Sequence, residues 1–144
     1  MQGISFEEAV AQIRENDPRF EADAYFFLRE ALDHTLRALK KPATGPARHV
    51  SGRELSDGFR ELALKQFGPM SLRVLSHWGV RRTEDIGALV FNLVGSGVLG
   101  ASEDDRPEDF AGGYDFETAF RFPFLPAAAR RRRAARKASK ETRP

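Results

Sequence analysis

The stretch from Arg130 to Arg143 holds eight of the chain's 23 basic residues, one acid, Glu141, and no large apolar side chain. A segment of that kind cannot supply a core, so whatever folds must be built from residues 1–129. That length suffices for one core and is short for two domains. The same boundary divides the charge. Residues 1–129 carry 15 basic against 20 acidic residues, a net −5, and residues 130–144 carry eight against one, a net +7. The formal total of +2 therefore conceals an acidic body joined to a basic tail.

Along the body the apolar residues recur at helical spacing between recognisable stops. Ser5 and Glu8 form a capping-box pair, followed by Phe6, Val10 and Ile13 up to Asn16, and Asp17-Pro18 ends that helix. A second helix is expected over Ala22 to Lys40, with Phe26, Leu28, Leu32, Leu36 and Leu39 on one face and Arg37, Lys40 and Lys41 favouring its C-terminal end. Pro42 to Pro46 reads as a loop. Ser51 and Glu54 make a second capping box ahead of Leu55, Phe59, Leu62 and Phe67, with Gly68 as the stop. Pro69 then opens a short helix carrying Leu72, Leu75 and Trp78 up to Gly79. Thr83 is the expected cap of a helix lined by Ile86, Val90, Leu93 and Val94, which Gly95, Ser96 and Gly97 terminate. Val98-Leu99 reads either as a short extended piece beside Val80 or as plain packed chain. Beyond residue 100 the period weakens, although Asp115 can cap a last short helix with Phe116, Ala119 and Phe120. Phe122-Pro123-Phe124-Leu125-Pro126 cannot be a helix interior. The expected fold is all-α: a compact bundle of about five helices over residues 1–121, a Phe/Pro linker over 122–129, and a disordered basic tail over 130–144.

Composition narrows the functional classes. The absence of cysteine excludes disulfides, thiol catalysis and cysteine zinc sites, and it fits a reducing compartment. Met1 to Glu8 is acidic and lacks the apolar stretch of a signal peptide. The run Ala88-Leu89-Val90-Phe91 is far short of the ~20 apolar residues of a membrane span. The expected compartment is the cytoplasm. Phe outnumbers the other aromatics, with 12 residues against two Tyr and one Trp, so aromatic packing is expected to dominate the core.

One set of motifs is familiar as a set. It runs through Arg48-His49-Val50-Ser51-Gly52-Arg53-Glu54-Leu55, Gln66-Phe67-Gly68-Pro69-Met70, His77-Trp78-Gly79-Val80-Arg81-Arg82-Thr83-Glu84-Asp85, Val90-Phe91-Asn92-Leu93 and Gly113-Tyr114-Asp115-Phe116, with Asp17-Pro18-Arg19-Phe20 and Ala24-Tyr25 upstream. Over about residues 16–120 the chain resembles an uncharacterised family of small proteins largely restricted to Planctomycetes and Verrucomicrobia. The resemblance implies a bacterial cytosolic protein and carries no activity with it. The arginine tail lies outside it.

Candidate chemistry is sparse. Leu75, Gly79 and Val80 occupy positions of a helix-turn-helix, with Arg81, Arg82 and Thr83 where base contacts begin. Against that reading, Ile86 falls one place late and Glu84-Asp85 would face DNA with negative charge, so two packed helices joined by a Gly turn fit better. His34, His49 and His77 lack any metal-ligand spacing, and no metal or cofactor is expected. Ser51 is better read as a cap than as a nucleophile. Gly95, Gly97 and Gly100 lack the setting of a phosphate loop. The acids Glu103, Asp104, Asp105, Glu108 and Asp109 lack the central Gly of a calcium loop. No catalytic residue is assigned. Arg81, Arg82, His49 and His77 form a candidate surface or anion site, and Asn92, interrupting an apolar face, demands specific hydrogen bonds if it is buried.

The tail carries the strongest cue. Arg130, Arg131, Arg132, Arg133, Arg136, Lys137, Lys140 and Arg143 are spaced by small residues and suit phosphate attraction without base specificity. The reading that follows is a non-enzymatic binding or adaptor protein whose tail contacts nucleic acid, ribosomal RNA included. Its rivals are a protein-interaction domain acting through residues 48–99 with a solubilising tail, a tail folded back on its own acidic body, and an enzyme assembled from distant residues. Membrane-surface binding, with Phe122, Phe124 and Leu125 as an insertion element, ranks below these.

Overall fold

The structure, a computed structural model, describes residues 4–42, 49–100 and 106–141, the side chains of 139–141 excepted. Among these residues it is all-helical. In chain order the α-helices are α1 (Phe6–Asn16), α2 (Ala22–Ala38), α3 (Gly52–Phe67), α4 (Ser71–His77), α5 (Thr83–Gly95), α6 (Phe116–Phe120) and α7 (Ala127–Glu141), with 3-10 turns at Gly68–Met70, Pro107–Phe110 and Phe122–Phe124. The loop expected over 42–46 lies outside the described residues beyond Pro42, as do Arg48, Glu103, Asp104, Asp105 and Arg143.

Local chemistry sets most of these ends. Ser5 Oγ accepts the Glu8 N–H, and at α3 the box is reciprocal, with Glu54 N–H donating to Ser51 Oγ and Ser51 N–H donating to Glu54 Oε1. Those bonds to Ser51 hold the Glu54 carboxyl below its usual range. Gly68 ends α3 with a positive φ of 50°. The cap of α5 differs from expectation. Arg82 takes the N-cap position, and Thr83, the first helical residue, is buried with its hydroxyl accepting the Gly113 N–H at 3.1 Å. Thr83 is therefore spent on fastening the 113–115 segment to the body.

The core gathers around α5, whose Ile86, Leu89 and Leu93 are buried against α1, α2 and α3. The stripe that α2 buries is Ala24, Tyr25, Phe27, Leu28, Ala31, Thr35 and Leu36, whereas Leu39 stands exposed and Phe26 is half-buried. Of the expected face Leu28 and Leu36 are buried, and the stripe also takes in Tyr25, Phe27, Ala31 and Thr35, with Thr35 packed directly against Gly58 of α3. Phe110 drops onto Gly87 of α5, where a methyl group would meet its ring at 2.9 Å. Aromatic rings fill the rest: Phe27 meets Phe59, Phe67 and Trp78 at centroid separations of 4.9, 5.5 and 5.6 Å. Val98 and Leu99 pack on the core as plain chain, not as an extended pair with Val80.

The disorder expected of the tail is not what the structure gives. Ala127–Glu141 form a 15-residue helix. Alanine and arginine have high helix propensity, and Pro126 offers its carbonyl to the Arg130 N–H to start the first turn. The linker consequently shortens to residues 122–126, a 3-10 turn followed by Leu125 and Pro126. Among the described residues, α7 contributes none to the core.

Candidate functional site

Among the described residues, the side-chain hydrogen bond and ion pair between α7 and the body are made by Arg133. Arg133 Nη2 donates to Thr118 Oγ1 at 2.9 Å and lies 3.7 Å from Asp115 Oδ2. Its guanidinium sits over the Phe122 ring, 5.3 Å from the centroid. Asp115 is held for this contact by its own work as a cap, accepting the Thr118 N–H at 2.9 Å and the Thr118 hydroxyl at 3.0 Å. An exposed pair of this kind contributes no more than about 1 kcal/mol. It positions the helix without anchoring it strongly.

Four consecutive arginines sweep about 300° of a helix at 3.6 residues per turn, so Arg130, Arg131, Arg132 and Arg133 point in four directions. Among the described residues of α7, only Arg133 turns to the acids of the body. Arg130, Arg131, Arg132, Arg136 and Lys137 are exposed and have no carboxylate partner among the described residues. The side chain of Lys140 lies outside the described residues. The charge arrangement also opposes the helix itself. Cations crowd the positive end of the helix dipole, and Arg132–Arg136 and Arg133–Lys137 are like-charge pairs one turn apart, each costing about 0.2–0.5 kcal/mol. An external polyanion would relieve both effects.

Between α7 and the 116–124 segment lies a cleft of about 570 Å³ lined by Thr118, Phe122, Arg133, Arg136 and Lys137. A second, open groove of about 820 Å³ lies between α4 and α6. Arg73, His77, Arg81 and Arg121 line it, with Pro69, Met70, Leu72 and Phe120 as its apolar part. Arg121 has Glu117 at 3.5 Å, and Asp85 Oδ2 accepts the Arg81 backbone N–H at 2.9 Å. Arg73 and the Arg81 guanidinium have no carboxylate partner among the described residues. Residues 116–124 thus contribute to two clefts, each lined by arginines.

Of the candidate anion set, His77 and Arg81 share this groove. Arg82 is the α5 N-cap and does not line it. His49 lies before α3, where Lys41 Nζ donates to its carbonyl at 2.6 Å, and it does not line the groove either. Arg73 and Arg121 were missed. The signal for Arg73 was present, four residues before His77 and so on the same face of α4. Arg121 joins only through the way α6 folds back on α4.

The helix-turn-helix geometry fails for a physical reason. Ile86, Gly87, Leu89 and Leu93 of α5 are buried, and only Glu84 and Gly95 of the helix are exposed. The helix presents Glu84 as its one exposed charged side chain, which opposes approach to DNA phosphate. Other motif residues also have fastening roles. Asn92 donates to Asp17 Oδ2 and to the Tyr25 hydroxyl at 3.1 and 3.0 Å, and the Tyr114 hydroxyl donates to the Ser56 carbonyl at 2.7 Å. Burial raises the Tyr114 hydroxyl above the usual tyrosine range, which keeps it a donor. Gly79, at φ 92°, lies so close to the Arg19 carbonyl that any side chain would overlap it. Trp78 packs on Phe27 and Phe67. The three histidines occupy separate places, His34 pairing with Glu61 across α2 and α3 at 3.3 Å. Among the described residues, no helix is long and apolar enough to cross a membrane. Comparison with protein-family models, curated proteins and solved structures yields no match to this chain.

Proposed function

We propose that this chain is a non-enzymatic, cytoplasmic nucleic-acid-binding protein whose α7 helix contacts the phosphate backbone without reading bases, with structured RNA such as ribosomal RNA within its range. One observation carries the reading. Although the body is acidic, it engages only Arg133 of α7, and Arg130, Arg131, Arg132, Arg136 and Lys137 remain exposed and unpaired among the described residues. A purely self-neutralising tail would place more of those cations on carboxylates. The likeness to the Planctomycetes and Verrucomicrobia proteins belongs to the same proposal, as the origin of the body and not of α7. A protein-docking role for residues 48–99 has less support, since Met70 is the one large apolar side chain described there that stands exposed.

The test compares RNA and DNA binding by the full chain with that of a chain ending at Ala129. The full chain is expected to bind both nucleic acids at low salt, and the shortened chain to lose at least about 100-fold in affinity. Equal affinity of the two chains, or no affinity in either, would overturn the reading.

A further inference from the structure

We propose that the groove between α4 and α6 is a subsite for an unpaired nucleotide and makes the protein prefer single-stranded over duplex nucleic acid. This rests on the nucleic-acid reading above and adds strand form to it. The α7 helix cannot choose between strand forms, because its exposed side chains offer charge and no surface on which a base could lie.

The groove offers both. Arg73 and His77 stand one turn apart on α4, Arg81 follows in the loop, and Arg121 closes the far side after α6. Glu117 and Asp85 approach from the flanks, one on Arg121 and the other on the Arg81 backbone, and neither neutralises Arg73. Beside these cations lies an apolar patch. Met70 is 49% exposed, unusual for a large apolar side chain in this body, and Leu72 and Pro69 lie next to it. A nucleotide freed from pairing presents a phosphate together with the flat apolar face of its base, which matches that combination. In a duplex the base faces are stacked and hidden, leaving only phosphate for the arginines.

The groove and the α7 cleft adjoin along the chain. Arg121 lines the groove and Phe122, the next residue, lines the α7 cleft with Arg133, Arg136 and Lys137. Adjacent residues lie about 3.8 Å apart. A strand held by α7 therefore needs to cross only the 120–122 wall to place a nucleotide beside Met70.

The sequence supplies its own probe, because Met70 shares the chain with only one other methionine, Met1. The experiment labels the methionine methyl groups of the full chain and follows them by NMR during titration with a short oligothymidylate, with a duplex of the same length, and with inorganic polyphosphate. Affinities are read in parallel by fluorescence anisotropy. Oligothymidylate is expected to shift the Met70 methyl saturably through the base ring current, while duplex and polyphosphate bind and leave it in place. The preference for single strand is expected to be about fivefold. An Arg73→Gln/Arg81→Gln variant, altered only at exposed positions, should lose the shift and the preference, with a larger loss of single-strand than of duplex affinity. Equal affinity for the two strand forms, an unmoved Met70 methyl at saturation, or an equal shift with polyphosphate would each overturn the proposal and leave the α7 reading standing. Absence of binding by all three ligands would overturn both.

Discussion

At Asp17 the end of a helix and a tertiary clasp fall on one side chain. Its carboxylate takes the Arg19 guanidinium at 2.8 and 2.7 Å and the Asn92 amide at 3.1 Å, while Asn92 also reaches the Tyr25 hydroxyl. The bonds from Arg19, ahead of those from Asn92, hold the carboxyl well below the usual carboxylate range despite some burial. Because the folded value lies below the unfolded value near 3.8, the contribution is complete above that pH and is lost as pH falls toward the folded value. The Asp17→Asn variant should therefore lose about 1 kcal/mol at neutral pH, a figure already discounted for the exposure of Arg19. Its deficit against the natural chain should narrow from about pH 4 downward, as measured by urea unfolding across a pH series. A deficit independent of pH would show that the contact is not ionic. The demand of Asn92 for partners was legible in the sequence. Its partners were not, since Asp17 and Tyr25 lie 75 and 67 positions away and no local pattern points to them.

Elements were most legible where they are closed by their own residues. Both serine caps, the stop at Gly68 and the cap at Asp115 follow from side chains within a few positions, and short-range chemistry decides them. The crossing of α2 and α3 is different. It depends on Gly58 meeting Thr35, where a methyl group on Gly58 would overlap the Thr35 side chain. In an isolated helix Gly58→Ala would gain about 1 kcal/mol from propensity. Here it should instead destabilise the fold by about 1–3 kcal/mol through overpacking, and Thr35→Ala should restore much of the loss in the double variant. A stabilised single variant in thermal unfolding would mean that the helices do not cross at that point. The α7 helix shows the opposite limit of sequence reasoning. Repulsion argued for disorder and propensity for helix, and the Arg133 contact with Thr118 and Asp115, which favours one outcome, exists only in three dimensions.

At the scale of the whole molecule, the charge split visible in the sequence falls between the core-forming body and the α7 helix. The body closes its core without α7, fastens its segments with Asn92, Thr83 and Tyr114, and engages one tail arginine through Asp115 and Thr118. What the sequence could not display is that residues 116–124 carry a second cationic face, formed when Arg121 joins Arg73, His77 and Arg81. The central claim is that phosphate contacts by α7 supply the affinity, and the salt dependence of binding tests it most directly. For the full chain on RNA, about five to eight phosphate contacts give a slope of log K against log salt of about −4 to −7. For the chain ending at Ala129 the slope should fall to about −1 to −3, the share left to the groove arginines. Equal slopes for the two chains would contradict the account.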